Sequence, residues 1–197
     1  MNRLQKLRAI APINGKATDI FVFFAHGETL LDWAIQGATG SFWNHCGIGF
    51  SGTDGVSTMP WMVYFEALFE TGFCGPEYLQ NLFAWRDADK RRSVAVLWLR
   101  VSPDLAQKKF LEASILVGKL GYAETQLLSM LWFERVGKYF GFKVPKSLDR
   151  VVCSQAVAQI LAPEIDLRDS VHTQFDEVTP GSAYDAVLRY LASKGNP

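Results

Sequence analysis

Apolar and polar residues alternate along this chain in short blocks, and the spacing within each block predicts an element. Residues 19–25 (DIFVFFA) are a continuous apolar run, the pattern of a buried strand. Residues 28–38 place Leu30, Leu31, Ala34, Ile35 and Ala38 on one helical face, with Gly37 and Gly40 fitting the end of that helix. Residues 45–50 read as a strand of small residues, residues 51–60 (SGTDGVSTMP) as turn chemistry, and residues 62–67 as a second strand, so the two strands predict a hairpin. Gly72, Gly75 and Pro76 are expected to end that element. Residues 81–85 suggest another short strand, and residues 93–101 (SVAVLWLRV) a firm one.

Helices fill the remainder. Ser102 and Pro103 have the chemistry of an N-cap followed by a first helical position, which predicts a helix to about Lys119. A second helix is expected over residues 124–139, stopping at Gly141, with Pro145 in a loop. A third starts at Cys153 and ends by Pro163, and a last one covers residues 182–192 after Pro180 and Gly181. A strand, a helix, a run of strands and then helices is the order of an α+β fold, with helices packed on a mostly antiparallel sheet. There is no repeat or long linker, so residues 1–197 are expected to form a single domain with residues 1–17 as a lead-in segment.

Composition narrows the function classes. The 197 residues are 49% hydrophobic and 20% charged, enough for one sizeable core, and the formal net charge is +0. No basic patch points to nucleic acid. The N-terminal residues lack the apolar stretch of a signal peptide, and the greasy stretch over residues 127–142 is broken by Glu134, Arg135 and Lys138. The expectation is a cytoplasmic protein without an integral membrane segment. Cys46, Cys74 and Cys153 form neither a disulfide framework nor a metal pattern, so no metal or cofactor is expected.

Candidate chemistry centres on Cys153. A thiol opening a helix lies near the positive end of the helix dipole, where thiolate is favoured. His45 opens a predicted strand far upstream. In a hairpin turning near residues 54–58, Glu66 lies roughly opposite it, and a carboxylate inside an apolar strand needs a partner. The three side chains supply a nucleophile, a base and an orienting acid: Cys153 attacks an acyl carbon, His45 moves the proton, and Glu66 fixes the imidazole. The Cys153 backbone N–H is one oxyanion donor, and the second is not visible in the sequence.

The same segments resemble those of NlpC-type papain-fold hydrolases. Residues 18–24 (TDIFVFF) are similar to the first strand of that group, residues 38–48 (ATGSFWNHCGI) to its TGS-x-WSHVGI segment, and residues 63–67 (VYFEA) with Gly72 and Phe73 to its V-x-EA…GV segment. Residues 152–157 (VCSQAV) resemble CSE-L-V, and residues 179–181 (TPG) its closing turn. The order His, Glu, Cys is that of the circularly permuted branch, which includes the bacterial YiiX-like proteins and relatives of lecithin–retinol acyltransferase. The resemblance runs from residue 18 to about residue 182. It implies a permuted papain-like fold, the catalytic set Cys153, His45 and Glu66, and cleavage of an amide or isopeptide bond, as in peptidoglycan-type peptides. An acyltransferase, a thioesterase or a lipid-directed hydrolase on the same triad is the alternative, and an inactive papain-fold binding module is the non-enzymatic one. The chain departs from the pattern at Thr18, at Cys46 where Val is usual, and at Gln155 where Glu is expected.

The other polar residues carry plainer expectations. Cys46 should face away from His45 as core filler, like Cys74. His26 suits a loop or cap, His172 an exposed loop, and Lys90, Arg91 and Arg92 a solvated turn. Glu70 is a more solvated alternative to Glu66. Trp132, Phe133, Tyr139, Phe140 and Phe142 suit either a helical core or an apolar wall on a substrate groove.

Overall fold

The computed structural model describes residues 15–53, 60–68, 71–122, 124–140, 142 and 150–195. The chain is α+β. Five strands, β1 (Lys16–His26), β2 (His45–Thr53), β3 (Trp61–Leu68), β4 (Gly72–Tyr78) and β5 (Ser93–Leu99), form an antiparallel sheet in the order β4-β3-β2-β1-β5. Six helices accompany it among the described residues: α1 (Leu30–Thr39), α2 (Leu79–Asp87), α3 (Pro103–Leu116), α4 (Glu124–Arg135), α5 (Cys153–Leu161) and α6 (Pro180–Ser193). A small parallel pair, β6 (Gly121–Tyr122) and β7 (Arg150–Val151), leads into α5.

The apolar run of β1 has a direct cause. Strand neighbours point to opposite faces, and here both faces are covered. Ile20, Val22 and Phe24 join Cys46, Ile48, Phe50, Val63 and Phe65 in the main core, together with buried residues of α3, α5 and α6. Phe21, Phe23, Ala25 and Tyr64 meet Leu79 and Leu82 of α2 on the other side.

Several local expectations are overturned. Gly75 and Pro76 lie within β4 rather than ending an element. β4 is an edge strand, where the missing proline N–H leaves no ladder bond unmade. Residues 81–85 are helical, inside α2, because Leu79 and Leu82 bury at helical spacing. The expected apolar face of α1 buries only Ile35, while Leu30 is 87% exposed and Trp33 is also exposed. Gly40, at φ 67, does end that helix, in the left-handed conformation glycine tolerates. The helix starting at Pro103 stops at Leu116 rather than near Lys119. That starting at Glu124 stops at Arg135 and continues only as a short 3-10 turn, Gly137–Phe140. β1 begins at Lys16, so the lead-in is shorter than expected. Gly141, Pro145, Glu70 and residues 54–59 lie outside the described residues.

The Lys90–Arg92 turn is solvated, as expected, and its charges are also paired. Arg91 pairs with Glu28 and Asp89, and the Arg92 guanidinium stacks on Trp85. Among the aromatics of the α4 region, Phe133 alone is buried, while Trp132, Tyr139, Phe140 and Phe142 are exposed. No described helix is long and apolar enough to cross a membrane.

His172 is not an exposed loop residue. Its Nε2 lies 2.6 Å from Glu134 on α4 and its Nδ1 lies 3.0 Å from Asp169, and Lys138 also pairs with Glu134. Burial opposes a charge on this ring, but the hydrogen bonds and charges of Glu134 and Asp169 outweigh it and raise the imidazole above its ordinary value. The stabilisation is therefore complete below the unfolded value near 6.5 and is lost as pH rises through the raised folded value. His172→Ala is expected to lower stability by about 1–3 kcal/mol at pH 6. The deficit should shrink at alkaline pH, which urea unfolding at the two pH values would reveal.

Candidate active site

Helix α5 is anchored at the end that carries Cys153. The Ser154 hydroxyl donates to the Val178 carbonyl at 2.5 Å. The Gln155 side-chain oxygen accepts from the Val152 N–H at 3.3 Å, and its amide donates to the buried Asp176 carboxylate. Gln155 thus helps to hold the helix start that carries Cys153. Gln155→Glu would set two carboxyl groups against each other in the interior. It is expected to cost about 1–3 kcal/mol, visible as a lower denaturation midpoint.

His45 is the first residue of β2, and β3 supplies Glu66. The register differs from the expected one by two residues: Glu66 stands opposite Gly47, not His45. The shift is even, so Glu66 and His45 keep the same face of the sheet. Glu66 reaches diagonally past the side-chain-free Gly47, and its Oε2 lies 2.8 Å from His45 Nε2. With Nε2 held by Glu66, Nδ1 is the ring nitrogen left for sulfur. Cys153 comes from α5, packed on the opposite face of the sheet, and borders the same cavity as His45 and Glu66. The structure therefore brings together all three residues singled out from the sequence.

Electrostatics at this meeting point favour an ion pair. A hydrogen bond from Cys46 is the largest influence on Cys153. With the charge and hydrogen bond of His45 it outweighs burial and holds the thiol well below its ordinary value. Burial opposes protonation of His45, but Cys153 and Glu66 together carry the imidazole up to about 10. Both shifts favour the thiolate and imidazolium form of the pair over the neutral one.

Comparison of the sequence with protein-family models and with curated proteins finds no match.

A cavity of about 510 Å³ opens beside the pair, and Cys153, His45 and Glu66 all line it. Leu31, Ile35, Leu68, Leu82 and Trp85 give it apolar walls, and the exposure of α1 leaves Leu31 free to serve as one. Asn44 borders the same space. It clamps the backbone of Gly27 through both ends of its amide, at 3.2 and 3.1 Å, and so fixes the segment leading into α1.

Two participants escaped sequence reasoning. Tyr122, on the two-residue strand β6, lines the cavity with Cys153. Burial first, then the neighbouring Cys153, Cys46 and Asp32, raise its phenol, so it stays protonated and able to donate. Nothing local in the sequence marks it, because only the β6–β7 pairing brings it beside the helix start. Cys46 lies in the core as expected, and it is also the largest influence that lowers the Cys153 thiol.

The remaining residues stand apart. His26 stacks on Phe42 with ring centroids 4.1 Å apart and does not line the cavity. Cys74 is buried opposite Glu66 on β4. The exposed aromatics of the α4 region are not among the residues that line the cavity. Among the described residues, no cluster of His, Cys, Asp and Glu has the makings of a metal site.

Proposed function

We propose that the protein is a cysteine-nucleophile hydrolase that cleaves an acyl bond through an acyl-enzyme at Cys153, on a permuted papain-like fold. The observation that carries the proposal is that Cys153, at a helix start, borders one cavity with His45 and Glu66, and that Glu66 holds the His45 ring at 2.8 Å. The thiolate attacks the acyl carbon, and the developing oxyanion takes hydrogen bonds from the Cys153 backbone N–H and the Tyr122 hydroxyl. The His45 imidazolium protonates the leaving amine or alcohol as the tetrahedral intermediate collapses. The neutral ring then takes a proton from water, which attacks the thioester and releases the acid. Glu66 holds the ring and stabilises its charge throughout.

An amide or isopeptide substrate follows from the resemblance of the segments around the three residues. The apolar walls contributed by Leu31, Ile35, Leu68, Leu82 and Trp85 favour a second substrate class, an ester or thioester of a hydrophobic acyl group. A panel of peptide amides, isopeptides, acyl esters and acyl thioesters separates the two. Wild-type protein is expected to turn over one class and Cys153→Ala none. Equal turnover by both proteins, or none by wild type on any member, would contradict the proposal and favour a binding module.

A further inference from the structure

Helix α1 is an excursion between two strands that are joined where it leaves and where it returns. The end of β1 pairs with the start of β2, Ala25 standing opposite His45. Just beyond, the Asn44 amide grips both the N–H and the carbonyl of Gly27, at 3.2 and 3.1 Å. The returning limb is held by Trp43, whose ring packs on Phe24 and Tyr184. Residues 28–40 therefore hang from two fixed points beside His45. Gly40, left-handed at φ 67, is the joint between the helix and the returning limb.

Little holds this helix down. Ile35 is its one buried residue, set among Leu127, Met130 and Val152. Its main packing partner among the described elements is α4, and Leu30 and Trp33 are already in solvent. Arg91 pairs with Glu28 at 2.8 Å, but the Arg91 side chain is 68% exposed, where such a pair contributes little. Gln36 Nε2 lies 2.9 Å from His26 Nδ1, and the Phe42 carbonyl competes for the same nitrogen at the same distance. Yet α1 supplies one wall of the cavity, through Leu31 and Ile35. The wall formed by α2 is fixed, because Leu82 is buried with Leu79 in the second core cluster.

We infer that α1 is a lid: it swings out about Gly40 and the residues that follow the Gly27–Asn44 clamp, admits substrate to Cys153, and closes again over the cavity. The inference rests on the proposed function, which places the chemistry in this cavity. Opening withdraws Leu31 and Ile35 from the wall and releases one buried side chain and one exposed ion pair. It breaks no strand pairing, so His45 keeps its place while the entrance widens. A small core contact with many solvent-facing groups is the make-up of a segment that opens locally, ahead of the sheet.

Native-state hydrogen exchange on the full chain, read by peptide mass spectrometry, tests the lid. Amides of residues 33–39 are expected to be protected about 100-fold less than those of β1, β2 and α5. Met130→Ala empties part of the seat of Ile35, and Met130 does not line the cavity. It is expected to speed labelling of Cys153 by a bulky maleimide about 10-fold, and by iodoacetamide less than about 2-fold. Residues 33–39 protected as well as β1 would overturn the lid, as would a Met130→Ala protein in which both reagents speed up by the same factor. Should Met130→Ala not fold, exchange in the wild type decides alone. Iodoacetamide labelling of the wild type reports separately on the catalytic reading. Selective labelling with slow exchange in α1 removes the lid and leaves the hydrolase, whereas fast exchange with an unreactive Cys153 does the reverse.

Discussion

Replacing His45 with Ala should slow alkylation of Cys153 by about 100-fold at pH 6, because the thiolate then loses its cation. In wild type the Cys153 thiol titrates well below its ordinary value, with the Cys46 hydrogen bond and the His45 charge both favouring the thiolate. A depressed value means the reactive form is present at neutral pH and is lost only as pH falls through that low value. The wild-type rate of reaction with iodoacetamide is therefore expected to stay high into mildly acidic solution. In His45→Ala the rate should climb only as pH approaches the ordinary thiol range, about 8.5. The alkaline limb has a different origin. His45 is carried up to about 10, so the imidazolium that protonates the leaving group disappears only above that pH. A His45→Ala protein that kept its Cys153 reactivity at pH 6 would show that the helix start alone activates the thiol. Cys46, which remains in place, tempers the loss, so the variant should retain reactivity above that of an unassisted buried thiol.

Gly47→Ala is expected to damage the fold and the site together. A Cβ at this position would collide with the Phe23 ring and stand 2.5 Å from the Phe65 carbonyl oxygen. The ring has nowhere to go, since Phe23 is packed against Tyr64 at a centroid distance of 5.1 Å. The carbonyl belongs to β3 and cannot move without breaking the pairing that sets Glu66 opposite Gly47. Overpacking of this kind typically costs about 1–3 kcal/mol, and a backbone obstacle places this case at about 3 kcal/mol. The same shift would part Glu66 from His45. Chemical denaturation should show the lost stability, and Cys153 labelling should fall with it. An unchanged midpoint together with unchanged labelling would mean that β2 and β3 do not pair in this register.

The sequence made the two ends of the site visible for specific reasons. A Cys after an apolar dipeptide and before a helical pattern is a local signal, and α5 begins at that residue. A carboxylate within an apolar strand demands a partner on the same face, and that demand pointed from Glu66 to His45 even though the assumed register was two residues off. An even error leaves the face unchanged, whereas an odd one would have sent Glu66 into the opposite core. The α+β order was also legible, since β1 with its uninterrupted apolar run must be covered on both faces.

What escaped was whatever depends on tertiary placement. Residues 81–85 carry aromatic and apolar residues compatible with a strand, and only the packing of Leu79 and Leu82 under the sheet decides for a helix. Proline 76 reads as a terminator until the edge position of β4 is known. α1 has an apolar stripe that the core does not use, because part of it faces the cavity instead. His172 has no pattern around it that announces Glu134, 38 residues earlier in the chain. Tyr122 and Cys46 neighbour the site through the same circumstance, the arrival of the Cys153 helix beside residues remote in sequence.

Acylation of Cys153 tests the central claim most directly. A chromogenic acyl ester of a short hydrophobic acid, mixed with excess protein and followed by mass spectrometry of the intact chain and its peptides, should give a transient adduct of one acyl group on Cys153. The adduct should decay as the free acid appears, and it should form far more slowly in His45→Ala. An acyl group found on other residues, no adduct on Cys153, or an adduct that forms equally fast without His45 would contradict the assignment of Cys153 as the activated nucleophile.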